Sequence, residues 1–263
     1  VEIVILPTPA DVGRYAARLV EARVRARPAL VWGLATGSSP TAIYAELAGA
    51  VARGLDLSGV RGFALDEYVG ISDTHPESYA RVIRSQVVEP LGLRPENVRV
   101  PDGRAADLEQ AARDYERAIA DAGGIDLQIL GIGSNGHIGF NEPTSSFASR
   151  TRLKTLAPQT RADNARFFDD PADVPTHCLT QGLGTILESR EAVLVAQGEG
   201  KARAVAAMVE GPVSAMWPGS VLQFHPRAVV VLDEAAASAL TLTDYYRHTF
   251  ANKPSWQRVP DAE

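Results

Sequence analysis

Short apolar runs at residues 3–6, 30–34, 62–65, 127–132, 192–196 and 228–232 recur along the chain with helical patterns between them, and this alternation restricts the fold more than any other feature. A brief, continuously apolar run reads as a strand buried on both faces. Between the first two runs, Val12, Tyr15, Ala16, Leu19 and Val20 fall at helical spacing and form one apolar stripe. Leu108, Ala111, Ala112, Tyr115 and Ile119 repeat that pattern ahead of the 127–132 run. The expected fold class is therefore α/β: a single doubly wound, mostly parallel sheet with helices on both faces, Rossmann-like in architecture. No repeat, low-complexity tract or linker divides residues 1–263, so one domain is expected. Residues 143–185 break the rhythm: they are rich in Ser, Thr, Pro and Arg and longer than an ordinary βα loop, which predicts a lid or flap. The aromatic tail with Tyr245, Tyr246, His248, Phe250 and Trp256 is expected to pack on the domain or on a neighbouring subunit.

Charge and cysteine content narrow the function. A net charge of -6 and a pI near 5.5 argue against a basic face for nucleic acid or anionic lipid, and leave room for a small anionic ligand. With Cys178 as the sole cysteine, neither a disulfide framework nor a Cys-rich zinc site can be built. No segment reaches a membrane span of about 18 apolar residues and the N-terminus has no leader pattern, so a cytoplasmic protein is expected.

Four places bear chemistry. The run ending in Leu34 leads to Thr36, Gly37, Ser38 and Ser39 and then to a helical pattern. Free N–H groups and hydroxyls at such a helix start suit a phosphate, although an ordinary turn with Ser39 as N-cap and Pro40 at the first helical position fits the same residues. Asp66 and Glu67 follow the 62–65 run, where open α/β sheets bind ligands; in extended chain they point to opposite sides, so one of them faces the pocket. The sequence DLQILGIGSNGHIGFNEP at 126–143 brings Asn135, His137 and Glu142 into a glycine-rich turn at a strand end, with His137 and Glu142 able to pair, or His137 merely structural. Neither these residues nor Asp73, His75 and Glu77 show metal-ligand spacing. Finally Arg150, Arg152, Lys154, Arg161, Arg166 and Lys201 concentrate positive charge in and after the 143–185 segment.

Taken together, LATGSSP, LDEYVGI with HPESY, GIGSNGHIGFNEPTSSFASRTRLKTL, TRADNARFF, LTQGLGTIL and GKARAVAAMVEGPVSAMWPGSVLQFHP resemble the glucosamine-6-phosphate deaminase (isomerase) family over nearly the whole chain. The wider group includes 6-phosphogluconolactonases, which share a glycine-His turn and lack the FNEP continuation. The resemblance implies an enzyme of amino sugar catabolism that converts glucosamine 6-phosphate and water to fructose 6-phosphate and ammonia without metal or organic cofactor. It further implies that His137 opens the sugar ring, Asp66 moves the C2 proton to C1, and Glu142 orients His137. Thr36, Gly37, Ser38 and Ser39 would hold the phosphate, with Arg166 and Lys201 closing over it. Many members carry aspartate where Asn135 stands, so a shifted pH optimum is expected.

In some bacterial members N-acetylglucosamine 6-phosphate activates a hexamer from a site between subunits, and Ser145, Arg152 and Lys154 match that motif. A homo-oligomer, hexameric if so regulated, is the corresponding expectation. The nearest alternative is a 6-phosphogluconolactonase. A sugar-phosphate sensor of a transcription regulator is the non-enzymatic alternative; it would carry a DNA-binding helix-turn-helix, which is not expected here.

Overall fold

The computed structural model describes residues 1–259, so residues 260–263 of the expected domain lie outside it. Among the described residues the strands are β1 (Glu2–Leu6), β2 (Val31–Leu34), β3 (Arg61–Ala64), β4 (Asp66–Tyr68), β5 (Val98–Arg99), β6 (Leu127–Leu130), β7 (Arg152–Thr155), β8 (His177–Thr180), β9 (Glu191–Ala196) and β10 (Ala228–Asp233). Seven of them form one sheet in the order β1-β10-β9-β6-β2-β3-β5, and every neighbouring pair is parallel. Parallel strands need crossovers, and the helices supply them. They are α1 (Pro9–Ala26), α2 (Ser38–Ala52), α3 (Tyr79–Ile83), α4 (Glu89–Leu91), α5 (Leu108–Asp121), α6 (Pro158–Asn164), α7 (Leu183–Leu187), α8 (Ala202–Val209) and α9 (Thr243–Ala251).

Local chemistry explains where the long helices begin. Thr8 caps α1 by accepting the Asp11 N–H at 3.2 Å, with Pro9 in the first turn; Asp107 caps α5 by accepting the Gln110 N–H at 2.9 Å. The pleat then sorts side chains to two faces. Trp32, Leu34 and Ala64 join the main core with Val12, Val20 and Leu47, while Val31 and Phe63 point the other way, against Tyr115, Ile119 and Ile125. Helices thus cover both faces, as the sequence pattern predicts.

A second, three-stranded antiparallel sheet, β4-β8-β7, stands beside the first. Leu65 is the hinge between them: its N–H bonds Leu34 of the parallel sheet at 2.9 Å, and its carbonyl accepts the Gln181 N–H at 2.8 Å. The chain therefore changes sheets immediately before Asp66. This small sheet accounts for much of the 143–185 segment, which holds β7, α6, β8 and part of α7. Of the aromatic tail, Tyr246 and Phe250 pack on the domain, Phe250 of α9 meeting Tyr15 of α1 edge-on at 5.7 Å, while Tyr245 and Trp256 are exposed.

Candidate functional site

The carboxyl ends of β2, β3, β6 and β9 open on one cleft of about 700 Å³. Thr36, Gly37, Ser38 and Ser39 line it from β2, Asp66 from the β3–β4 junction, Gly133 and His137 from β6, and Gln197 and Lys201 from β9; Thr160, Asp163, Asn164 and Arg166 close one side. The loop after β2 differs in detail from the ordinary turn considered for it. Helix α2 begins at Ser38, its N-cap is Gly37, and no side chain caps it, so Ser39 is inside the first turn and is not the N-cap. Uncapped N–H groups at a helix start favour an anion.

The two acidic neighbours at the sheet junction part company as the extended backbone requires. Asp66 lines the cleft; Glu67 turns away and accepts the backbone N–H groups of Tyr68, Tyr79 and Ala80 at 2.8, 3.0 and 2.8 Å, anchoring the start of α3. Burial pushes the Asp66 carboxyl up to about 8, and the charge of Glu67 adds to the shift. Gly139 permits this arrangement: it takes a φ of +56°, and a Cβ there would stand 3.0 Å from Thr180 Oγ1 and 3.6 Å from Asp66 Oδ2.

In the turn after β6 the expected pair of His137 and Glu142 is present at ion-pair distance, and Asn135 bridges it as a relay. His137 Nδ1 lies 3.7 Å from Glu142 Oε2, beyond hydrogen-bond reach, and Asn135 fills the gap. A carboxylate only accepts, so the Asn135 amide donates from Nδ2 to Glu142 at 2.7 Å and presents Oδ1 to His137 Nδ1, also at 2.7 Å. The neutral imidazole must then carry its proton on Nδ1, which leaves Nε2 as the free base. Gly133 makes room for the ring, since a Cβ there would come within 2.4 Å of it. The other Glu142 oxygen accepts the Ala157 N–H at 3.0 Å. Burial alone would raise the Glu142 carboxyl, yet His137 and the Ala157 N–H outweigh it and hold the group at about 2.

Most of the cations in the 143–185 segment have structural partners. Arg150 pairs with Glu188, Arg161 donates to the Val174 carbonyl at 2.7 Å, and Arg152 donates to Asn141 Oδ1 at 2.8 Å. Arg166 and Lys201 are the members of the set that line the cleft; burial lowers the Lys201 ammonium, partly offset by Asp163. Ser145 is buried, and Arg152 and Lys154 share one side of β7, outside the cleft lining. Among the described residues no group of three or more His, Cys, Asp and Glu is placed to hold a metal ion.

Several lining residues escaped the sequence reading. Tyr68 lines the cleft near Asp66 and receives the Asn164 amide of α6 at 2.9 Å, and Asp163 of the same helix lines it while accepting the hydroxyl of Ser134, which lies outside the lining, at 2.9 Å. Gln197 follows β9 directly, and its position at a strand's carboxyl end was the available signal.

A parallel sheet with helices on both faces and a polar cleft across its strand ends places the molecule among α/β proteins that bind small ligands at the carboxyl edge. More particularly, the chain belongs to the family of glucosamine-6-phosphate isomerases and 6-phosphogluconolactonases, whose model matches residues 8–231. It is 58% identical to a glucosamine-6-phosphate deaminase of Pseudarthrobacter chlorophenolicus over 258 residues, covering 98% of this chain and 100% of that one. The deaminase of Mycolicibacterium smegmatis is 55% identical over 260 residues, 98% of this chain and 100% of the relative. A solved monomeric glucosamine-6-phosphate deaminase superposes with a TM-score of 0.89 at 38% identity, covering 91% of this chain and 100% of that one. The 6-phosphogluconolactonase of Trypanosoma cruzi superposes at 0.75 with 20% identity, over 91% of this chain and 97% of that one, a likeness of fold alone.

Proposed function

We propose that the protein converts glucosamine 6-phosphate and water to fructose 6-phosphate and ammonia. The observation that carries this reading is the meeting, in one cleft, of a carboxyl group of raised basicity at Asp66 and an imidazole whose free nitrogen is fixed by a relay. An isomerisation through C2 and C1 needs a base on carbon, and ring opening needs a separate proton donor and acceptor at oxygen. Asp66 takes the C2 proton and returns it to C1. His137 shuttles the proton for the ring oxygen through Nε2, while Asn135 and Glu142 hold the ring in place. Hydration of the resulting C2 imine releases ammonia and leaves the C2 carbonyl.

The uncapped start of α2 with Thr36, Gly37, Ser38 and Ser39, together with Arg166 and Lys201, is suited to the phosphate. Binding there, remote from C1 and C2, contributes orientation at the reacting carbons. Arg166 follows α6, whose contacts with Ser134, Tyr68 and Glu142 link it to the catalytic groups, so α6 and the turn after it form the lid. A coupled ammonia assay tests the reaction: release from glucosamine 6-phosphate supports it, and hydrolysis of 6-phosphogluconolactone without ammonia release would replace it. Ser145, Arg152 and Lys154 form a second sugar-phosphate site in an oligomer; sigmoidal kinetics made hyperbolic by N-acetylglucosamine 6-phosphate support that part, and hyperbolic kinetics throughout count against it. No helix among the described residues is long and apolar enough to cross a membrane.

A further inference from the structure

Gln197 stands immediately past the carboxyl end of β9, the strand beside the one that carries the His137 turn. It lines the cleft, and its Nε2 is buried without a hydrogen-bond partner in the protein. A buried amide left unpaired is costly, so a donor in this state at a ligand cleft is poised for an acceptor that arrives with the ligand. Its surroundings name the acceptor. The turn that begins at Gln197 ends at Lys201, which lines the cleft together with Arg166. Asp163, the carboxylate that acts on Lys201, already accepts from Ser134 and Gln159, and the remaining donors suit a phosphoryl group, whose oxygens only accept when ionised.

The turn is held rigidly enough to fix both side chains. Asp233, at the carboxyl end of β10, takes the Gly198 N–H on both carboxylate oxygens at 3.0 Å and the Ala236 N–H at 2.7 Å, and Lys201 N–H closes the turn on the Gly198 carbonyl at 3.1 Å. We infer that Gln197 donates its carboxamide N–H to the phosphoryl end of the bound substrate, on the β9 side of the cleft and beside Lys201. This rests on the sugar-phosphate reading of the site and adds to it a contact that none of its glycine or charged motifs contains.

Gln197→Met keeps the length of the side chain and removes the donor, and two measurements on the whole protein judge it. Ligand-free, the variant unfolds at the same temperature as the parent or higher, because an unpaired buried amide has been replaced by an apolar group. Inorganic phosphate raises the unfolding temperature of the variant less than that of the parent, and KM for glucosamine 6-phosphate rises roughly tenfold to a hundredfold, as expected for loss of a hydrogen bond to a charged group. A ligand-free variant that unfolds earlier yet keeps the full phosphate response would make Gln197 structural and overturn the inference, and so would an unchanged KM. If the parent releases no ammonia from glucosamine 6-phosphate, the proposed reaction fails, while the phosphate response still judges Gln197.

Discussion

Asp66, which lines the cleft at the β3–β4 junction, and Glu142, in the turn after β6 behind His137, are equally hidden, 6% and 5% exposed, yet their protonation is driven in opposite directions. Asp66 is pushed up to about 8 and Glu142 is held at about 2. Burial raises both, most of all Asp66, and it is the neighbours of Glu142 that reverse the direction there. Asp66 has another carboxylate next to it in sequence, whereas Glu142 receives the Asn135 amide and the Ala157 N–H and lies near the His137 ring. The protein thus builds one carboxyl group that seeks a proton and one that refuses it. The first is suited to remove hydrogen from carbon, and the second to hold positive charge on an imidazole.

The largest break in this comparison is Asp66→Asn, which removes the base and leaves the phosphate contacts. Turnover falls by about 10² to 10⁴-fold, while inorganic phosphate still protects against unfolding. Residual turnover near that of the parent would point to Glu67 as the base, against its present bonding to the start of α3. In the parent, kcat/KM rises about tenfold per pH unit up to the Asp66 value near 8, since only ionised Asp66 accepts the proton. Stability moves the other way. The folded pKa lies above the unfolded value of 3.8, so the contribution of Asp66 is fully present below that value and is lost as pH rises through about 8. Urea unfolding at pH 9 therefore finds Asp66→Asn more stable than the parent by about 1 kcal/mol or more, with the gap closing at pH 4. A parent equally stable at both pH values would mean that Asp66 is not held protonated.

Glu142→Gln tests the opposite member, with a smaller loss. It removes the charge behind the relay, and kcat/KM falls by about 10² through weaker support of protonated His137. The Glu142 pKa is depressed from 4.5 to about 2, so its contribution to stability is present above 4.5 and disappears as pH falls through about 2. The variant is destabilised by roughly 2 to 3 kcal/mol at pH 7, and the difference shrinks on acidification. A constant difference from pH 7 to pH 3 would assign the loss to packing and not to charge.

The contrast also shows what a sequence can and cannot convey. All six apolar runs became strands of the parallel sheet, because burial on both faces leaves an unbroken apolar signature. The seventh, β5, is two residues long at the sheet edge and buries too little to leave one. The small sheet was hidden for another reason: β7 reads Arg-Leu-Lys-Thr and β8 reads His-Cys-Leu-Thr, with no apolar alternation, and a single residue, Leu65, separates β4 from β3. Opposite orientation of Asp66 and Glu67 was legible from the period of an extended chain. Insertion of Asn135 between His137 and Glu142 was not, because the path of a turn with glycines at positive φ decides which side chains meet. Gln197 carries no motif; it is marked by its place at a strand end and by an unpaired amide visible only in three dimensions.

The finest test concerns that inserted amide. Asn135→Asp puts a second carboxylate 2.7 Å from Glu142, where an N–H now donates, and two ionised carboxylates cannot share that distance. The pair takes up one proton between them, so the hydrogen bond survives and the net charge behind His137 stays close to that of the parent until the proton is lost at higher pH. The expected change in maximal kcat/KM is within about tenfold, with the pH profile departing from that of the parent only at alkaline values, where the pair loses its shared proton. Stability follows the same proton: the variant matches the parent at pH 5, where the pair is protonated, and falls below it at pH 9, where the charges repel. Superimposable pH profiles for the two proteins would show that Asn135 serves as a geometric spacer and that the charge at Glu142 governs His137 unaided.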